Sequence, residues 1–199
     1  MIKIYGDSRS GNCYKIKLIL SLRGIDCDWH EMNIQAGDTR TDSFLSLNPK
    51  GKVPTVILDD GRELDESNAI LGYFAEGTSL LPHDPYLKAK VYQWLFFEQY
   101  SHEPYIAVAR FIQVYLDMPE SRRDEYLSLQ KGGNEALQIM EQQLSKTPYL
   151  VGDMLTIADL SLYAYTHVAD QGGFDLGLYP HICRWCERVK TLPCYVPMG

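Results

Sequence analysis

The hydrophobic periodicity of this chain changes once, across a proline-rich break. Residues 77–85 carry Gly77, Leu80-Leu81-Pro82 and Asp84-Pro85 and sustain neither the alternation of a strand nor the period of a helix. Before the break strand-like and helix-like stretches alternate, and after it everything reads as helix. That division predicts an α/β domain over residues 1–77, a linker over 78–85 and an all-helical domain over 86–199. With 199 residues, 45% of them hydrophobic, the chain has enough apolar material for two modest cores.

Within the first part, residues 2–5 alternate as a strand and run into a polar loop ending at Gly11, after which a helix is expected over 12–23. Ile16, Leu18, Ile19, Leu20 and Leu22 supply its wide apolar face, and Gly24 stands where a left-handed residue would stop it. Residues 27–34 read as a second strand. Asp59-Asp60-Gly61 between Thr55-Val56-Ile57-Leu58 and Arg62-Glu63-Leu64 is a hairpin signal, and a helix is expected over 66–76.

In the second part, residues 86–116 form an aromatic-rich helical stretch with Pro104 inside it, where proline should kink or break the helix. Pro119 opens another helix to about residue 146, weakened by Gly132-Gly133, each glycine costing about 1 kcal/mol against alanine. Thr156-Ile157-Ala158-Asp159 has the spacing of a capping box, so Asp159 is read as a folding device rather than a catalytic acid.

Charge and cysteine usage exclude several functions. Acidic residues outnumber basic ones 26 to 19, net −7, without a dense Lys/Arg run, so nucleic acid is not an expected partner. The first residues turn polar too soon for a signal peptide, and nowhere do about 18 apolar residues run together, so neither export nor a membrane is expected. Five cysteines bunched near the two ends do not make a disulfide framework. Cys183-Arg-Trp-Cys186 lacks the second pair that a structural zinc site needs, so it is read as helix packing and no metal is called for. A cytoplasmic protein is the expectation.

Four stretches suggest a thiol site. Ser10-Gly11-Asn12-Cys13 lies between the first strand and its helix, at the spacing where thioredoxin-like folds hold Cys-x-x-Cys, with serine in place of the first cysteine. Cys13, inside the first helical turn, is read as core. Asn48-Pro49-Lys50-Gly51-Lys52-Val53-Pro54 leads into the hairpin, and Val53-Pro54 suits a cis peptide whose preceding backbone groups an extended peptide would pair with. Glu66-Ser67 at a helix start offers a carboxylate to an ammonium group, and a hydroxyl and N–H groups to a carboxylate.

In this order, followed by helices and a capping box, these motifs resemble the cytosolic glutathione S-transferase family over nearly the whole chain. The most specific parts are Asn48 to Ile57, the Glu66-Ser67-Asn68-Ala69-Ile70 run and the box at Thr156 to Asp159. The resemblance implies a thioredoxin-like N-terminal domain, an all-α C-terminal bundle and a detoxifying homodimer that needs no cofactor beyond glutathione as co-substrate. It implies that Val53 and Pro54 present backbone to the cysteinyl part of glutathione, that Glu66 and Ser67 hold its γ-glutamyl end, and that Lys52 or Arg40 meets its glycine carboxylate. Glu98, Gln99 or His102 would reach the γ-glutamyl group across the dimer interface. The hydrophobic electrophile would use Tyr105, Arg110, Phe111 and Tyr115.

The thiolate is the nucleophile, and at a free pKa of about 8.5 only about 3% of the thiol is ionised at pH 7. Lowering that pKa by about 2 units takes about 2.7 kcal/mol. A helix dipole supplies about 0.3–1 kcal/mol and a hydrogen bond to a charged group about 1.5–3 kcal/mol, so a side-chain donor is needed. No tyrosine stands in the loop before the first helix, and Tyr5 belongs to the strand, which disfavours the tyrosine-type classes. Ser10 matches the serine of theta-like and delta-like classes, and Asn12 is similar to the asparagine of bacterial members of the theta, nu and beta kind. Ser10 is the expected donor with Asn12 as second or replacement, Ser8 is the rival, and both Ser10 and Asn12 would equally serve as helix caps. Conjugation to a hydrophobic electrophile is the leading function. Glutathione-dependent peroxide or disulfide reduction, and a non-enzymatic dimeric module of the same fold, are the alternatives.

Overall fold

Strand β1 (Ile2–Gly6) is an inner strand of the sheet, with a parallel neighbour on one side and an antiparallel neighbour on the other. In this computed structural model, which describes residues 1–199, β1 runs parallel to β2 (Cys27–Glu31) and antiparallel to β3 (Thr55–Ile57), and β3 turns back to β4 (Glu63–Leu64). The sheet order is β2-β1-β3-β4. Helix α1 (Gly11–Arg23) makes the crossover between the parallel strands and packs against α3 (Ser67–Ala75). Its apolar face, with Cys13, Ile16, Leu18, Ile19 and Leu20, is buried with Ile4, Val56, Ile70 and Leu71. Gly24 ends it at φ +59°, and its N–H bonds Leu20 O and Ser21 O, as a left-handed stop does.

Three local readings shift. The second strand is shorter than expected, and residues 38–47, unassigned in the sequence, hold a 3₁₀ turn (Asp38–Arg40) and helix α2 (Asp42–Leu47) capped by Thr41. The helix expected over 66–76 begins at Ser67, because Glu66 has φ +65° and lies outside it.

The chain divides into two compact units, Met1–Glu76 with Pro193–Gly199, and Gly77–Leu192. The last seven residues, read from sequence as part of the helical domain, pack with the first unit: the Tyr14 hydroxyl donates to Val196 O at 2.8 Å and Ser21 Oγ to Cys194 O at 2.7 Å.

The second unit is helical. It comprises α4 (Pro85–Phe97), α5 (Glu103–Arg110), α6 (Arg123–Leu144), α7 (Ile157–Thr166) and α8 (Pro180–Lys190), with short 3₁₀ and π-helical turns. The helical stretch is interrupted before Pro104, as expected, and the proline stands in the first turn of α5, where its missing N–H costs no helical bond. A π-helical turn over Glu98–His102 precedes it, and the wider turn accommodates a ring that would otherwise press on the carbonyl four residues back. Gly132 and Gly133 lie inside α6 because rings occupy the space of their side chains: a Cβ on Gly132 would strike Tyr105, and one on Gly133 would strike Phe174.

The capping box forms as read. The Asp159 carboxylate accepts from the N–H of Thr156 and of Leu150 (2.9 Å each), the Thr156 hydroxyl (3.1 Å) and the Trp185 indole (3.0 Å), all buried. Asp159 thus ties the start of α7 to α8 and to the preceding loop. Cys183 and Cys186 stand on α8, the first donating to Leu176 O, the second buried with its thiol pushed up to about 12 by that burial. No helix is long and apolar enough to cross a membrane.

Candidate functional site

The loop between β1 and α1 is closed by its own polar groups. The Asp7 carboxylate, almost wholly buried, accepts from Arg9 N at 2.8 Å, and Ser10 N bonds Asp7 O at 3.0 Å, a turn that aspartate favours. From within the turn Ser8 N donates to Glu31 at 2.8 Å, and the Trp29 indole donates to the same carboxylate at 2.7 Å. Burial opposes ionisation of Glu31, but these donors outweigh it and hold its pKa below the usual range.

Ser10 ends this turn as the N-cap of α1, its Oγ accepting from Cys13 N at 3.5 Å. Capping uses a lone pair, so the hydroxyl hydrogen remains for donation, and the two roles weighed for Ser10 are compatible. Cys13 is fully buried, and burial pushes its thiol up to about 12 although the Ser10 hydroxyl and Asp7 backbone lie against it and favour the thiolate. Such a thiol is inert at neutral pH. Tyr5 is stacked on His30 (4.7 Å between centroids) and edge-on to Phe44, occupied in its own aromatic cluster.

The second wall is residues 48–54. Asn48, buried, donates to Lys52 O (2.9 Å) and Thr55 Oγ1 (3.0 Å) and accepts from Lys50 N (3.1 Å), so one side chain shapes the loop from both ends. Gly51 sits at φ +59° with the Arg40 guanidinium 2.6 Å from where its Cβ would be, so both backbone and space call for glycine. Val53-Pro54 is cis. Neither the N–H nor the C=O of Val53 is paired within the chain, although the residue is half-buried. The Lys52 side chain is exposed and makes no polar contact, whereas Arg40 lies along the loop toward Lys50 O at 3.5 Å.

The third wall is the start of α3. Glu66, at φ +65° and ψ +107°, holds a backbone conformation that costs a non-glycine residue about 1–3 kcal/mol, the kind of strain found at ligand clamps. Its exposed carboxylate pairs with Lys50 Nζ at 2.9 Å, which also reaches Asp65 at 3.0 Å. Ser67 is buried and donates to Asn12 Oδ1 at 3.0 Å, which joins the first turns of α1 and α3. Lys15, also buried, donates to Ser67 Oγ (3.2 Å) and Asn68 Oδ1 (3.3 Å).

Asn12 and Ser67, chosen separately from the sequence, are therefore hydrogen-bonded neighbours. Lys50 and Lys15 were missed. Lys50 meets Glu66 only because the hairpin returns the chain, and no local pattern carries that. Lys15 had a signal, since the helical period puts it on one face with Gly11, Leu18, Ile19 and Leu22, where a charge is out of place.

In the helical unit, Glu98 and His102 are fully buried, which corrects the expectation that either reaches a partner's ligand. His102 Nε2 bonds Thr166 Oγ1 at 2.9 Å, and only Gln99 of the three is exposed. Arg110 is buried with Nε donating to Gln171 at 2.8 Å, Phe111 stacks on Tyr115 at 5.0 Å, and Tyr105 lies on Gly132.

A thioredoxin-like sheet with open backbone beside two joined helix starts, followed by a helical unit, defines a thiol-handling two-domain protein. Comparison with known proteins is more specific. Residues 9–76 match the model of the glutathione S-transferase N-terminal domain, and residues 94–193 that of the C-terminal domain. The chain is 31% identical to glutathione S-transferase F13 of Arabidopsis thaliana over 211 aligned positions, covering 100% of this chain and 94% of that one. It is similar to a solved glutathione S-transferase of Pseudomonas fluorescens Pf-5 (TM-score 0.97, 60% identity, 99% and 98% of the two chains). A second, from Xanthobacter autotrophicus Py2, aligns at TM-score 0.96 and 48% identity over 100% and 97%. The chain belongs to the glutathione S-transferase family, and its activity class is that of a transferase using glutathione.

Proposed function

We propose that the first unit binds glutathione in extended form and ionises its thiol for attack on a hydrophobic electrophile. The observation that carries this reading is the Ser67–Asn12 hydrogen bond, which holds two helix N-termini side by side. Each start presents the positive end of a helix dipole, suited to one anion apiece: the γ-glutamyl carboxylate at α3 and the thiolate at α1. Between them the unpaired backbone of Val53 pairs with the cysteinyl residue as a strand edge would.

In this arrangement the Ser10 hydroxyl donates to the sulfur and the Asn12 amide assists from the first turn of α1. Glu66 takes the γ-glutamyl ammonium, replacing the Lys50 ammonium that it holds in the free chain. Lys52, exposed and uncommitted, is the better partner for the glycine carboxylate, and Arg40 the second. On the electrophile side Tyr105 and Phe111 offer half-buried rings, and Arg110, beside Phe111 in sequence, is buried and donates to Gln171. Positioning and thiolate formation supply the rate, and no further cofactor is required. A disulfide-reductase role built on Cys13 is disfavoured by the inertness of that thiol.

Glutathione titrated across pH, with thiolate absorbance followed in the far ultraviolet, tests the reading. The bound thiol should ionise about 2 units below its free value, and that shift should shrink in Ser10→Ala. Binding without a shift would point to a carrier or redox role, and no binding to a docking module.

A further inference from the structure

Lys50 joins the 48–54 loop to the start of α3. Its backbone N–H is fixed by the buried Asn48 side chain at 3.1 Å, and from that base the stem places Nζ 2.9 Å from Glu66 Oε1 and 3.0 Å from Asp65 Oδ1. Lys50 is the only cation paired with either carboxylate. We propose that Lys50 makes the site selective for the amino group of glutathione: it stands in for that group on Glu66 in the free protein and withdraws to Asp65 when the ligand binds. The inference rests on the function proposed above and adds to it the parts of Lys50 and Asp65.

Charge and geometry carry it. Two adjacent carboxylates and one ammonium make a trio with one net negative charge, which a single ligand ammonium neutralises. An ammonium has three hydrogens, so Lys50 serves both carboxylates at once, and the nearly equal distances let it give up one bond while keeping the other. The Glu66 side chain is 58% exposed against 32% for Asp65, so Glu66 is the one an arriving ligand reaches and Asp65 the one that retains the lysine. A ligand without the amino group meets a Glu66 already paired and gains nothing there. A ligand with it turns one shared ammonium into two pairs, Lys50 with Asp65 and its own amino group with Glu66.

The test measures by titration calorimetry the affinity of wild type, Lys50→Met and Asp65→Asn for glutathione and for its des-amino analogue, glutaryl-cysteinylglycine. The ratio of the two affinities isolates the amino group, because a general effect on the loop or on the ligand carboxylates moves both ligands alike. We expect the ratio to rise about threefold in Lys50→Met, where Glu66 has no competing partner, the scale of an exposed ion pair. It should fall about threefold in Asp65→Asn, where Lys50 has only Glu66 to hold. Both changes should shrink in about 1 M salt, where the Debye length is about 3 Å. Equal ratios in the three proteins, or changes of the same sign in the two variants, would overturn the proposal. Lys50→Gln provides the same readout if Lys50→Met does not fold. A wild-type protein that binds the two ligands equally would also overturn it while leaving glutathione binding intact, whereas one that binds neither would overturn the function proposed above and this inference with it.

Discussion

Ser10 caps α1 and, in the mechanism proposed above, also donates to the thiolate, and substitutions can separate the two roles. Alanine removes both the cap, worth about 0.5–2 kcal/mol, and the donor to the thiolate, whereas glycine at an N-cap costs only a few tenths of a kcal/mol. Ser10→Gly should therefore fold nearly as stably as wild type and still lose roughly ten- to hundredfold in kcat at neutral pH, the equivalent of about 1.5–3 kcal/mol, with little change in KM for glutathione. Steady-state kinetics beside a denaturant melt checks this, and full turnover in Ser10→Gly would remove the serine from the mechanism. At this scale the sequence was informative about identity and silent about pairing. Ser10, Asn12 and Ser67 were legible from their places before helices, but the bond from Ser67 to Asn12 spans 55 positions and exists because α1 and α3 pack together.

Helices α6 and α7 show how tertiary contacts override local propensity. On propensity alone Gly133→Ala should stabilise α6 by about 1 kcal/mol. The Phe174 ring occupies the space of the new methyl, so we expect a net loss of about 1–3 kcal/mol, read as a lower melting temperature. In α7 the opposite holds, because the local signal of the capping box was complete in four residues and the fold adopted it. Asp159→Ala orphans four buried donors and should cost about 3 kcal/mol or more.

The same element gives the pH dependence its sign. Burial pushes Asp159 up to about 6, above the value of about 3.9 in an unfolded chain, so the folded state holds an extra proton between those values. Its contribution to stability is greatest at acid pH and is lost as pH rises through 6. Burial lowers His167, at the end of α7, to about 4 against about 6.5 unfolded, so its contribution is present at neutral pH and lost as pH falls through 4. The two slopes oppose each other over pH 4–6. Calorimetry of His167→Gln, which removes the acid-labile partner, should show a smaller fall in melting temperature between pH 6.5 and 4 than wild type shows.

For the whole molecule, three of the exposed aromatic residues fall in a pattern. Tyr92, Phe96 and Tyr100 are spaced four apart along α4 and its π-helical continuation, 40%, 71% and 85% exposed. A stripe of this kind in water is what a partner covers, and it supports the homodimer proposed from the family resemblance. Phe96→Glu with Tyr100→Glu should shift the mass found by light scattering from dimer to monomer; a wild-type monomer would remove the homodimer. The sequence by itself determined where the chain changes character, which residues begin and end most helices, and which motifs to weigh for a thiol site, because alternation, capping and turn chemistry act over a few residues. The tertiary structure alone decided that the last seven residues join the first unit, that a π-helical turn precedes Pro104, that Glu98 and His102 are interior, and that Lys15 and Lys50 bond Ser67 and Glu66. Each of those depends on groups far apart in the chain meeting at one place, and a single sequence records the groups but not the meeting.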